Sequence, residues 1–285
     1  MSVECKICGG PAPAVRTNTI RFKFDARLLS CQRCGFACFE PANWLAEAYV
    51  PPITAPDVGY VSRNVYAAQM IAQFVEQHGF STGPFVDYGG GYGMLVRLMR
   101  DRGYKFHLHE PMTQNLFAPN LEANTAVFGT YELATAIEVF EHLPDPVGDL
   151  AQMLTFSNRI LFTTELYPGS GAPAADWHYL GPEHGQHVSF YTEHALQMLA
   201  ERFELSYRRI ASSWHLLAPR DENDRFKPCP KPAWHQKWHR KIIKDKGRRQ
   251  RESLTQADHE VIRAHLNEIG SPNPQPDFHL DRPAR

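Results

Sequence analysis

The stretch "FVDYGGGYGMLVRLMRDRGYKFHLHEP", residues 85–111, sets Gly89, Gly90, Gly91 and Gly93 into five consecutive positions between an apolar run and an amphipathic one. The apolar run, Phe85–Tyr88, is short and reads as a buried strand. Residues 93–102 place Met94, Leu95, Leu98 and Met99 on one side, which predicts a helix. A strand that turns at once into a helix needs backbone angles and close approaches that side chains obstruct, and glycine supplies both. The start of the following helix offers unpaired N–H groups and a partial positive charge, suited to an anionic or polar ligand. Residues 106–109 read as a second strand, and Glu110, beside Pro111, falls at its end, where an acid can accept hydrogen bonds from a ribose diol. Gly89, Gly90, Gly91, Gly93, Glu110 and Pro111 are therefore the candidate cofactor-binding residues.

The same alternation continues on both sides. A helix is predicted over 66–78, a strand over 133–139, a helix from Pro146 to about Phe156 and a strand over 159–163. Thr192 is a good N-cap for a helix over 192–202, and the runs 204–210 and 214–217 are close enough to pair antiparallel. Strands alternating with helices imply an α/β fold, a Rossmann-like doubly wound and mainly parallel sheet covered on both faces. The final hairpin adds an antiparallel closing strand.

Composition divides the 285 residues into four regions. Residues 1–40 are a cysteine-rich head, 41–59 a proline-rich connector disfavouring regular structure, 60–219 the α/β region and 220–285 a polar, basic extension. The formal net charge of −1 argues against a charge-driven partner for the whole molecule. No apolar run reaches the length of a membrane span, and the first ten residues lack a secretory layout, so a cytoplasmic, reducing location is expected.

Five of six cysteines lie in the first 38 residues. In a reducing location they suggest metal ligation or free thiols rather than disulfides. Cys5-x-x-Cys8 and Cys31-x-x-Cys34 form two knuckles, each followed by glycine, the pattern of a structural Zn²⁺ site in a small zinc-ribbon module. Cys38 is left as a buried bystander, and free reduced thiols are the alternative.

The glycine loop does not fit the dinucleotide fingerprint G-x-G-x-x-G/A, because the sixth position is Met94 counted from Gly89 and Val96 counted from Gly91. G-x-G-x-G, over Gly89, Gly91 and Gly93 with Asp87 two residues earlier, resembles the first motif of class I S-adenosylmethionine (SAM)-dependent methyltransferases. "ATAIEVFEHLPDP", residues 134–146, resembles the E-V-x-E-H-L/I-x-D-P signature that closes the fourth strand of small-molecule methyltransferases of that class. The resemblance implies SAM as cofactor, with Asp87 near its amino-acid moiety, Glu110 on its ribose and Glu138 at its methionine end. It also implies Glu141 and His142 at the mouth of the pocket, although His142 alternatively braces the loop.

A third stretch, "DWHYLGPEHGQHVSFYT", residues 176–192, is similar to a segment of bacterial sugar C-methyltransferases, which also carry an N-terminal four-cysteine zinc site. The similarity puts His187 at the base position, with His184 where those enzymes have tyrosine and Gln186 where they have an acid. A hydroxyl or carbon acceptor loses a proton on methylation, and an imidazole is suited to take it. His187 is the first candidate for the general base, with His184 and His142 next and Glu183 behind them. Tyr167, Trp177, His178 and Tyr179 form either an aromatic wall for a sugar ring or loop packing.

The expected function is SAM-dependent methyl transfer, to oxygen or carbon, on a small polar acceptor: a sugar, nucleotide sugar or surface-glycan precursor. No D/N-P-P-Y/F tetrapeptide of amino-group methyltransferases follows Val139. The stretch "HQKWHRKIIKDKGRRQR", residues 235–251, carries eight Lys or Arg against one Asp. It suits a polyphosphate or RNA, so an RNA methyltransferase is an alternative; nucleic acid is the less favoured partner, and the solvated face of a docked helix the blander reading. A SAM-binding scaffold without chemistry is the third.

Overall fold

The computed structural model describes residues 3–50, 53–55, 57–123, 129, 131–168, 171–222, 225–227 and 255–272. The basic stretch 235–251 and the proline-rich end lie outside them. Among the described residues, no helix is long and apolar enough to cross a membrane.

Four short strands form the centre, fully buried except for the half-buried His107 and His109 of β5: β4 (Phe85–Tyr88), β5 (Phe106–His109), β6 (Leu133–Ala136) and β7 (Ile160–Thr163). β4 pairs parallel with β5 on one side and β6 on the other, and β6 pairs parallel with β7. β10 (Trp214–Pro219) runs antiparallel to β7, and β9 (Leu205–Arg209) antiparallel to β10, giving the order β5-β4-β6-β7-β10-β9. The doubly wound, mainly parallel sheet with an antiparallel closing hairpin is therefore present.

Alternation along each strand feeds two cores. Phe85, Leu133, Leu161 and Leu216 pack on one face with α2 (Tyr60–Gln77) and α3 (Met94–Arg100). Val86, Ala134, Phe162 and Leu217 pack on the other with α4 (Pro146–Met153) and α5 (Glu193–Glu201). Helix α2 begins six residues before its predicted start, since Met70, Ile71, Phe74 and Val75 continue a stripe begun at Ala67.

The head forms a second sheet of β1 (Ala14–Ile20), β2 (Phe24–Ser30) and β3 (Ala37–Glu40). Its fourth strand is β8 (Ser189–Phe190), drawn from the segment before α5. Cys5, Ile7, Cys31, Cys34 and Phe36 share one core with Phe162, Tyr191, Leu196 and Leu199, so the head is packed into the α/β region. The connector, read as irregular, contains a helical turn, α1 (Leu45–Ala48). The indole of Trp44, 1% exposed, donates to the Gly185 carbonyl at 2.7 Å. Helix α6 (Thr255–Ile269) follows in the polar extension, and its Arg263 meets Glu183.

Candidate active site

Because β5 and β6 lie on opposite sides of β4, strand order reverses at the carboxyl end of β4, where open α/β sheets leave a crevice for ligands. The glycine turn stands there. A side chain on Gly90 would run into the Asp87 carboxylate and the Leu108 side chain. Gly93 caps α3 at φ +83°, a left-handed conformation that suits glycine. Across the turn, Glu110 Oε2 accepts from Gly91 N–H at 2.9 Å and Oε1 from Met112 N–H at 2.7 Å. The carboxylate is thus set beside the glycine loop, while Pro111 is exposed in the turn that follows.

Asp87 sits under the loop. It is 1% exposed, and its Oδ1 accepts from Thr135 Oγ1 at 2.7 Å. Burial raises its carboxyl to about 7 despite that hydrogen bond.

Glu138 follows β6 with φ +55°, strained for a residue bearing a side chain. Thr163 of β7 holds it twice: the Glu138 N–H donates to Oγ1 at 2.8 Å, and Oγ1 donates to Glu138 Oε1 at 2.7 Å.

The loop after Glu138 is tied to the histidine segment at four points. Val188 N–H donates to the Glu141 carbonyl (2.8 Å), Tyr191 Oη to the Phe140 carbonyl (2.9 Å) and Ser189 Oγ to the Leu143 carbonyl (2.5 Å). The fourth contact is between rings, His142 and His187, with centroids 5.0 Å apart.

His187 Nδ1 lies 2.6 Å from the Tyr179 carbonyl oxygen. A carbonyl only accepts, so Nδ1 carries the proton and the Nε2 lone pair is left over. Burial lowers the imidazole to about 4, so the ring is neutral but holds an accepted proton less tightly than a free imidazole does. His142 Nδ1 is hydrogen-bonded to Tyr49 Oη at 2.9 Å, and burial keeps this ring neutral too. His184 is turned into its own loop: its Nδ1 accepts from Gln186 N–H at 3.1 Å, and its Nε2 side crowds Gly181. Glu183 is engaged by Arg263 at 2.5 Å.

Of the four aromatics, Tyr167, Trp177 and His178 line a groove of about 490 Å³. Tyr179 is buried against the His187 ring, with centroids 4.6 Å apart. Tyr49 is a site residue that the proline-rich composition concealed. The signal was present in "NWLAEAY", residues 43–49, whose Trp44, Leu45, Ala48 and Tyr49 recur at helical spacing.

The thiols of Cys5, Cys8, Cys31 and Cys34 lie within 4.8 Å of one another. Cys5 and Cys34 sulfurs are 3.6 Å apart and those of Cys8 and Cys31 3.4 Å. Four sulfurs at about 2.3 Å from a tetrahedral Zn²⁺ would stand about 3.8 Å apart. Arg33 N–H and Cys34 N–H point at Cys31 Sγ and Phe36 N–H at Cys34 Sγ, the second shell that thiolates need. The residues fit the ion. Cys38 is absent from this group, and burial pushes its thiol up to about 12.

Residues 62–210 match the family described as a methyltransferase domain. No curated protein matches the chain by sequence. Among solved structures, a methyltransferase of calicheamicin biosynthesis in its SAH-bound form is similar at 15% identity, over 62% of this chain and 67% of that one, with a TM-score of 0.38. The mitomycin 7-O-methyltransferase is similar at 19% identity over 47% of each chain, with a TM-score of 0.36. The 1,6-didemethyltoxoflavin-N1-methyltransferase of Burkholderia thailandensis is similar at 15% identity, over 67% of this chain and 93% of that one, with a TM-score of 0.43.

Proposed function

The chain belongs to the methyltransferase-domain family matched over residues 62–210, and from that premise we propose that it moves a methyl group from SAM to a small polar acceptor. The acceptor class is a sugar, nucleotide sugar or surface-glycan precursor, methylated at oxygen or carbon in the cytoplasm. The cofactor would lie over the glycine turn, with its ribose hydroxyls on Glu110 and its methionine end toward Glu138. Four thiolates, Cys5, Cys8, Cys31 and Cys34, would hold a structural Zn²⁺.

Methyl transfer is an in-line displacement at the sulfonium: the acceptor atom bonds the methyl carbon as the carbon–sulfur bond breaks, and its electron pair returns to sulfur. The protein has to align the two partners and take the acceptor's proton. The observation that carries this reading is the His187 imidazole, neutral, with Nδ1 spent on the Tyr179 carbonyl and Nε2 free.

The test is a screen of nucleotide-diphosphate sugars, with SAH formation and methylated product followed by mass spectrometry. His187→Ala is expected to lower turnover of the identified acceptor about 10²-fold or more, as loss of a general base does. SAH affinity, measured by calorimetry, should stay unchanged. Full turnover in His187→Ala would remove the base role, and no heat with SAM or SAH would remove the cofactor assignment.

A further inference from the structure

The loop after Glu138 and the histidine segment bring together three metal-ligating side chains outside the cysteine cluster. Ligand atoms of Glu141, His142 and His187 all lie within 4.8 Å of one another. Around one ion with bonds of about 2.0–2.2 Å they would stand about 3–3.5 Å apart, so the set closes with shifts of about an ångström.

Glu141 is the unusual member. Its side chain is completely buried, and neither carboxylate oxygen has a hydrogen-bond partner among the described residues. The hydroxyls of Tyr179 and Thr164 lie nearby and bond to one another at 3.3 Å, which uses one of their two protons and leaves the other to face the carboxylate. Buried polar groups are nearly always paired, and a fully buried carboxylate facing hydroxyls alone still lacks a positive partner. Meanwhile the backbone of Glu141 is fixed by Val188 N–H, which ties this turn to the segment carrying His187.

The rings are also oriented from behind. Nδ1 of His187 faces the Tyr179 carbonyl and Nδ1 of His142 the Tyr49 hydroxyl, which leaves Nε2 of each ring as the nitrogen not engaged by these bonds. Such outer-shell bonds are what fix histidine ligands to metals. Both histidines are only half-buried, so the set is reachable from solvent.

We propose that Glu141, His142 and His187 form a binding site for a divalent transition-metal ion. Two imidazoles and one carboxylate suit Zn²⁺, Co²⁺ or Fe²⁺ rather than Ca²⁺ or Mg²⁺. Three protein ligands leave a coordination position open, as in sites that engage substrate rather than purely structural ones. The inference goes beyond the methyl-transfer reading and does not depend on it. Where the ion is bound, Nε2 of His187 is no longer free to accept a proton, so metal loading and the base role exclude each other.

The test uses the full chain with its cysteine site already filled with Zn²⁺, titrated with Co²⁺ and followed by visible absorption and calorimetry. A single further equivalent is expected, with d–d absorption but no thiolate-to-cobalt charge-transfer band. Glu141→Gln and His142→Asn should each abolish that equivalent, and Tyr49→Phe should weaken it about 10–100-fold. Unchanged melting curves would show that the variants are folded; if one variant is not, the other decides.

Absence of the further equivalent would overturn the site, as would its persistence in a folded ligand variant or a thiolate band showing exchange at the cysteines. SAH binding without Co²⁺ binding would remove the metal site and leave the methyl-transfer reading standing. Co²⁺ binding without SAH binding would do the reverse.

Discussion

Asp87 carries the glycine turn from below, and its chemistry is set by burial. The carboxyl is raised from 3.8 to about 7 because the space under Gly90 is closed to water. In the unfolded chain it titrates at its ordinary value, so the folded state binds the proton more tightly between the two values. The stability this group contributes is therefore fully present below pH 3.8 and lost as pH rises through 7, a span worth about 4 kcal/mol at most. Asp87→Asn keeps the shape and cannot titrate. Urea melts of both proteins from pH 4 to pH 8 are expected to show the wild-type advantage shrinking by a few kcal/mol across that window; a constant difference would mean that Asp87 is not proton-linked to folding. Its place two residues before the glycines was legible from local sequence. Its partner was not, because Thr135 comes from a strand 48 residues further on and nothing near either residue announces the pairing.

Helix α5 shows how one element couples the two sheets. Thr192 Oγ1 accepts from Ala195 N–H at 3.0 Å, the N-cap bond read from sequence. The same hydroxyl donates to the Cys34 carbonyl at 2.7 Å, a bond to the second cysteine knuckle. Gly35 has no side chain because a Cβ there would strike the Thr192 methyl. Thr192→Ala loses the cap and strands a buried carbonyl, so a cost of about 2 kcal/mol is expected, against a small one for Thr192→Ser. Chemical denaturation midpoints at fixed slope check this; equal midpoints for Ala and Ser would show that the hydroxyl contributes little. Long periodic elements such as α2 and α5 were readable because many residues repeat one signal. The two-residue strand β8 carries no periodicity and exists through tertiary contacts, whereas the short helical signal of α1 was masked by the prolines around it. His187 and His142 were each named from sequence, but their juxtaposition was not, since it is made by long-range bonds from Val188, Ser189 and Tyr191 to the 140–143 loop.

At the scale of the molecule, the cysteine head is built into the wall of the site. The tip of its first hairpin lies on the histidine loop: Arg21 N–H donates to the Pro182 carbonyl at 2.7 Å and its guanidinium to the His184 carbonyl at 3.1 Å. Trp44 and β3 hold the same loop from the side. Arg202 of the α/β region reaches back to the Ile7 carbonyl at 2.7 Å, beside the first knuckle. Four thiols this close, three of them buried, repel one another once ionised, and without an ion the knuckles have no reason to keep their shape. Removing the proposed Zn²⁺ with a chelator should therefore loosen more than the head. A loss of about 3 kcal/mol would lower Tm by about 6–12 °C in a chain of this size, and Cys31→Ser should melt like the stripped protein. The effect on function should be selective. The glycine turn and Glu110 stand on the far strands of the main sheet and make none of these contacts, so SAH affinity should survive stripping. Methyl transfer should fall because the 181–187 loop loses its support, and Zn²⁺ should restore it. A stripped protein that melts at the same temperature and turns over at the same rate would separate the head from both the fold and the site.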